Sequence, residues 1–236
     1  MAIPAERLEK ARQRRVYYPT SDGKPMGETE KHRDLMIYCI EALKAYFADD
    51  PEGYVSGNNF LYYEEGNPKA RVSPDCYVVF GVEKRQRDFY KVWEEGGKYP
   101  SVVFEFTSKK TRREDTHKKL PLYEQVLQVP EYFLFDPTGD YLKPRLQGYR
   151  LVGGRYDHLL PVNNRLHSEQ LGVDLVEEGE TLCFYDRQGE RLLTPLEQAR
   201  RANSEAQRAE AEAQRADAAE AEIARLRAEL EALKRQ

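Results

Sequence analysis

Two carboxylates stand out for the chemistry that their surroundings impose. Asp75 follows Pro74 at the head of the strand-like run ARVSPDCYVVFG, and Glu105 sits in VVFEFTS between Val103, Phe104 and Phe106. A carboxylate buried among such side chains is costly unless it finds a partner. Two acids on neighbouring strands invite a divalent cation, and oxygen-only ligation suits Mg²⁺ or Mn²⁺ with positions left open for water and a phosphate oxygen. Phosphodiester hydrolysis needs a Lewis acid, an activated water and a cation near the attacked phosphate, so two acids and a lysine would complete a set. The residues by themselves are equally served by a Pro-Asp turn and an edge-strand acid, and both readings stand at this point.

The elements that must hold these residues follow from periodicity. A helix is expected from about Thr29 to Ala48, with Leu35, Ile37, Ile40, Leu43 and Phe47 at helical intervals, stopped by Asp49-Asp50-Pro51-Glu52-Gly53. Three Val-, Phe- and Tyr-rich runs, YVSGNNFLYYE, ARVSPDCYVVFG and YPSVVFEFTS, read as strands. EDTHKKLPLYEQVLQ reads as a helix with Leu120, Tyr123, Val126 and Leu127 on one face, and EYFLFDPTGDY as a strand followed by a turn that Asp136 opens. Beyond Tyr141, two hairpins are expected, with turns at Gly153-Gly154 and Gln188-Gly189. Segment 83–98, which carries the only tryptophan, Trp93, reads as a polar loop facing substrate.

The tail is different in kind. EAQRAEA at Glu205 is followed at once by EAQRADA, a seven-residue repeat, and Ile223, Leu226, Leu230 and Leu233 continue it at 3-4-3 spacing. Projected back, Ala202, Ala209, Ala216 and Ala219 fall on the same seam. The 236 residues therefore divide into an N-terminal arm (1–27), one domain (28–194) and a heptad-repeat helix (195–236), through which a homodimer (196–236) is expected. A single solvated helix laced by Glu/Arg pairs is the other reading of the same stretch.

Net charge of −4 argues against a large basic face for duplex nucleic acid, although a local basic patch beside an acidic metal site fits the same sum. Cys39, Cys76 and Cys183 are too few and too widely spaced for a disulfide framework or a zinc site. With no apolar leader after the N-terminal charges and no run of 18 apolar residues, the expectation is a cytoplasmic protein outside the membrane.

The succession Pro74-Asp75, VFEFTSKKTRRED, THKKLPLYEQ and EYFLFDP resembles the Uma-type family of restriction endonucleases, within the PD-(D/E)XK nuclease superfamily, over roughly residues 28–160. The resemblance implies a restriction-endonuclease-like α/β core, a mixed central β-sheet flanked by helices, here with a β-hairpin extension and a C-terminal coiled-coil helix. It implies Asp75 and Glu105 as catalytic metal ligands, with the backbone carbonyl of Phe106 supplying another oxygen. The sequence departs from the superfamily at Thr107, two residues after Glu105, where a lysine is the rule. In the Uma-type pattern the lysine moves to the next helix, four residues after the Asp of Arg-Arg-x-Asp, which here makes it Lys119, with Lys118 and Lys109 as competitors. A glutamate of the first core helix, Glu30 or Glu28, is implied near the metal, with His32 beside it. Lys110, Arg112 and Arg113 lie between the acid strand and the lysine helix, suitably placed for phosphate contact.

The leading expectation is thus a Mg²⁺- (or Mn²⁺-) dependent endonuclease acting on DNA. Two others compete with it. One is a catalytically inactive nuclease-fold protein that binds nucleic acid or protein and assembles through its tail. The other is an adaptor whose core is a rigid platform.

Overall fold

Thr29 starts the first helix, α1 (Glu30–Tyr46): its hydroxyl accepts from the His32 N–H at 3.3 Å, satisfying one of the donors that a helix start leaves open. The computed structural model describes residues 16–21, 23, 29–108, 111–163 and 165–234. One face of α1 buries His32, Leu35, Met36, Cys39, Ala42 and Leu43. Ile37, expected on that face, instead points to solvent, because the face that packs is centred on the 35, 39, 42, 43 row.

That face lies against a six-stranded sheet. Its strands are β1 (Gly53–Ser56), β4 (Cys76–Phe80), β6 (Val102–Phe106), β7 (Glu131–Phe135), β8 (Leu146–Val152) and β9 (Arg155–Leu159), in the order β1-β4-β6-β7-β8-β9. Every neighbouring pair is antiparallel except β6 and β7, so the sheet is mixed. Parallel neighbours need a long crossover, and here it carries the helical segment 112–126. The central strands β4, β6 and β7 are buried on both faces, as their near-continuous apolar runs require. Three further strands, β10 (Arg165–Ser168), β11 (Val173–Glu178) and β12 (Thr181–Tyr185), form an antiparallel sheet. Its Leu166, Val173, Leu175, Leu182 and Phe184 join α1, Phe104 and Phe133 in one core on the first face. On the other face Tyr77, Val79, Val103, Tyr132 and Leu134 pack with Tyr123, Leu127 and a small sheet, β2 (Leu61–Tyr62), β3 (Arg71–Val72) and β5 (Tyr90–Lys91).

The structure departs from the sequence expectations in further places, and the runs YVSGNNFLYYE and ARVSPDCYVVFG each divide into two strands, β1 with β2 and β3 with β4, that belong to different sheets. The last hairpin turns at Gly179 (φ +64°), between β11 and β12, and not at Gln188-Gly189, which forms a later turn around Asp186. β10 was not expected at all. Segment 83–98 contains β5 and a 3₁₀ turn, Val92–Glu95, and is braced by Arg87, whose guanidinium makes two bonds of 2.8 Å to Glu95. The segment after β6 is a regular helix only at Arg112–Glu114; Asp115–Lys119 and Leu122–Val126 are π-wound, which turns Val126 out to solvent. The Gly153-Gly154 turn is as expected, both glycines having positive φ as a two-residue hairpin loop demands.

By internal contacts the chain divides into two units, Met1–Leu192 and Leu193–Gln236. The second is one helix, α2 (Pro195–Lys234), opened by a reciprocal cap: the Glu197 N–H donates to the Thr194 hydroxyl, and the Thr194 N–H donates to the Glu197 carboxylate. No helix among the described residues is long and apolar enough to cross a membrane. Cys39, Cys76 and Cys183 are free and buried.

Candidate active site

Alternation along β6 decides which layer each side chain meets. Val102, Phe104 and Phe106 face α1, so Glu105 is directed with Val103 toward segment 112–126. β4 meets β6 with Cys76 opposite Phe104, and Asp75, in the bend just before β4, brings its carboxylate to the end of β6. Asp75 Oδ2 accepts from the Phe106 N–H at 2.7 Å and lies 3.2 Å from His32 Nε2, in the first turn of α1. Gly57 fixes this approach, since a Cβ there would stand 2.1 Å from the Asp75 carbonyl oxygen.

Glu105 is 1% exposed. Its Oε2 accepts from Lys119 Nζ at 2.7 Å and its Oε1 from the Tyr123 hydroxyl at 2.8 Å. The Lys119 ammonium also stands 3.2 Å from Asp115 Oδ1 as an ion pair. Both Asp115 oxygens are buried, and neither accepts a hydrogen bond among the described residues. Asp115, Lys119 and Tyr123 recur every fourth residue and so share the face turned to β6, and the π winding adjusts their reach; such turns recur at functional sites.

Three carboxylates therefore surround one ammonium. Burial pushes the Glu105 carboxyl well above the usual range; Lys119 opposes this, while Asp75 and Asp115 add to it. Burial likewise raises Asp115. For Lys119 burial works toward neutrality, but Glu105, Asp115 and Asp75 outweigh it, and the ammonium is held charged. Tyr123 is raised by burial and by Glu105, and remains a hydrogen-bond donor.

This donor set fits a hard divalent cation in an open site. The surplus of negative charge, with three carboxylates facing one ammonium, is what a cation would relieve, and every side-chain donor apart from His32 is oxygen. Among the described residues no group of three or more His, Cys, Asp or Glu side chains is placed to hold a metal ion. Mg²⁺ does not need one, because it keeps several waters and uses one or two carboxylates.

The other residues singled out by sequence fall elsewhere. Glu30 is exposed beside Arg33, and the first helix brings His32, not an acid, to Asp75. Lys118, Arg112 and Arg113 are exposed on the outer face of the helical segment, with Arg112 over the Tyr141 ring at 5.5 Å. Phe106 contributes its N–H to Asp75. Glu28, Lys109 and Lys110 lie outside the described residues. Thr107, where the superfamily lysine is missing, is buried with its hydroxyl unpartnered. Asp136 is a turn organiser, accepting from the N–H groups of Thr138, Gly139, Tyr141 and Leu142. In the sequence Asp115 reads as a spacing marker and Tyr123 as a core residue, and their four-residue spacing about Lys119 is the signal that points to them as part of the site. Nothing in the sequence separated His32 from an ordinary histidine near a helix start.

The family model Uma2, described as putative restriction endonuclease, matches residues 5–177. Among solved structures, the chain is similar to a putative nuclease belonging to DUF820 from Anabaena variabilis ATCC 29413, with 12% identity, a TM-score of 0.46, and coverage of 72% of this chain and 91% of that one. No curated protein matches the chain.

Proposed function

The chain belongs to the Uma2 restriction endonuclease family, and from that premise we propose that it is a Mg²⁺- or Mn²⁺-dependent endonuclease that hydrolyses phosphodiester bonds of DNA. The observation that carries the reading is Glu105, a buried carboxylate on a central strand, with Asp75 brought to the end of that strand and the Lys119 ammonium 2.7 Å away. A structural acid needs no such surplus of charge around it.

In this reading Asp75 and Glu105 hold the cation, with the Phe106 carbonyl as a further oxygen, and the cation supplies Lewis acidity and a lowered water pKa. His32 and the Phe106 N–H fix the rotamer of Asp75. Tyr123 and Lys119 fix that of Glu105. Lys119, charged through the neutral range, also faces the phosphate and offsets the negative charge that grows during attack. Asp115 anchors Lys119 from the far side. Arg112 and Arg113, exposed on the helical segment, and Lys110 meet the flanking phosphates, while Lys109 and Lys118 are the competitors of Lys119 for the cationic role. Catalysis belongs to residues 28–194 and self-assembly as a homodimer to the helix of 195–236, with residues 1–27 as an arm; the protein acts in the cytoplasm.

The test is nicking of supercoiled plasmid with Mg²⁺ or Mn²⁺ by the full chain and by Glu105→Gln. Cleavage by the wild type and its loss in the variant support the reading. Cleavage that persists in Glu105→Gln sinks it, and DNA retention without cleavage by the wild type selects the inactive binding protein instead.

A further inference from the structure

Ile223, Leu226, Leu230 and Leu233 of α2 are each about half exposed, at 48%, 51%, 54% and 65%. Four large apolar side chains in one row on a solvated helix call for a partner. Numbered as heptads, Ala216, Ile223 and Leu230 occupy position a, and Ala219, Leu226 and Leu233 position d. The two preceding d positions are Glu205 and Glu212, which interrupt the seam, so the pairing stretch begins at Ala216. Ile at a followed by Leu at d favours two strands.

The flanking charges identify the occupant and its direction. Position g holds Arg215, Glu222 and Glu229, and position e holds Glu220, Arg227 and Lys234. In a parallel, in-register pair each g residue meets the e residue five positions further along the other copy. Arg215 then meets Glu220, Glu222 meets Arg227, and Glu229 meets Lys234, three unlike pairs on each side of the seam. In an antiparallel pair g faces g, and Glu222 and Glu229 are set against acids. Within one copy Glu222 pairs with Arg225 at 2.7 Å and Lys234 with Glu231 at 3.3 Å. Such exposed pairs are weak enough to be exchanged.

We propose that residues 216–234 pair with a second copy of this chain as a parallel, in-register coiled coil. Both bodies precede their helices, so parallel pairing brings them to the same end of the coil. Antiparallel pairing of the 40-residue helices would separate their starts by tens of ångströms. Under the nuclease reading, the dimer then carries two sites. The proposal rests on the self-assembly part of that reading, and its direction is the new element.

The test uses the full chain. Light scattering over a concentration series reads the mass of two chains, and Leu226→Glu with Leu230→Glu returns it to one. Leu233→Cys in a glutathione redox buffer forms a covalent dimer, because parallel register sets each position 233 beside its copy, while the three native cysteines are buried. Charge exchange gives a second readout that spares the seam. Glu222→Lys with Glu229→Lys weakens the dimer about tenfold, and adding Arg227→Glu with Lys234→Glu restores it, which happens only if g meets e. A two-chain mass with neither disulfide nor charge rescue overturns the parallel register and leaves self-assembly standing. A one-chain mass at every concentration overturns both. Neither result touches nicking by the body, which tests the nuclease reading separately.

Discussion

Glu105 on β6 and Glu131 on β7 are buried glutamates on adjacent parallel strands, and they are surrounded in opposite ways. Glu131 is saturated. Arg150 donates to its Oε1 through Nε at 3.0 Å and Nη2 at 2.8 Å, the Glu169 N–H adds 2.9 Å, and the Ser168 hydroxyl and Gln170 N–H serve Oε2. Glu105 has one donor per oxygen, with Asp75 and Asp115 close enough to oppose its ionisation. A carboxylate that holds a fold together is surrounded by donors until its charge is answered. One left short, beside two more acids, keeps a negative charge that a bound cation would answer.

The largest effect should come from breaking this contrast at Glu105. In Glu105→Gln the amide oxygen still accepts from Lys119 and the amide nitrogen can donate to the Tyr123 oxygen. Nicking should therefore fall by about 10³-fold while the urea midpoint stays at or above that of the wild type. A midpoint that drops sharply would place Glu105 among the structural acids. The mirror experiment is Glu131→Ala, which takes the acceptor from Arg150 Nε, the Ser168 hydroxyl and the Glu169 and Gln170 N–H groups and should cost about 3 kcal/mol in urea unfolding, with nicking per folded molecule retained.

Proton linkage separates the same two kinds of acid by sign. Asp136, with its carboxylate hydrogen-bonded by four backbone N–H groups and the Thr138 hydroxyl, has its pKa lowered despite burial. Its contribution to stability is full above the unfolded carboxylate pKa near ~3.9 and is lost as pH falls through the lower folded value. The raised Glu105 works the other way: the folded state holds its proton more tightly, so stability declines as pH rises from about 4.3 toward the folded value. Unfolding free energies followed from acid to neutral pH should lose part of the acid limb in Asp136→Asn and part of the decline at higher pH in Glu105→Gln. The smallest effect is expected at Thr107→Val, which removes a buried hydroxyl without a partner and should stabilise by up to ~1 kcal/mol with nicking unchanged.

Much of the fold was legible because its signals are local. Thr29 announces a helix, Val102–Phe106 reads as a strand from its own composition, and Gly153-Gly154 dictates a turn. The last hairpin was misplaced because Gly179 and Gly189 offer equal turn chemistry, and only the cross-strand register of β11 with β12 chooses between them. β10 is four residues long, with only Leu166 and Ser168 buried on either side of the exposed His167, too short to stand out before β11 pairs with it. At the site, Asp75 and Glu105 could be picked out as acids at strand positions. Lys119 could be nominated from its place four residues after Asp115, whereas that His32 reaches Asp75 depends on packing of α1 against the chain just before β4, which is not written in spacing along the chain.

Insertions and deletions should strike segment 112–126 harder than substitutions do. Each residue added to or removed from a helix turns everything beyond it by about 100°. The π turn Asp115–Lys119 already departs from the α winding a backbone prefers, and adding one further residue to it would swing Lys119 away from Glu105. The segment is held off that winding from both ends, where the Tyr132 hydroxyl donates to the Asp115 carbonyl and Tyr123 donates to Glu105. Segment length is thus as much a component of the site as any side chain in it.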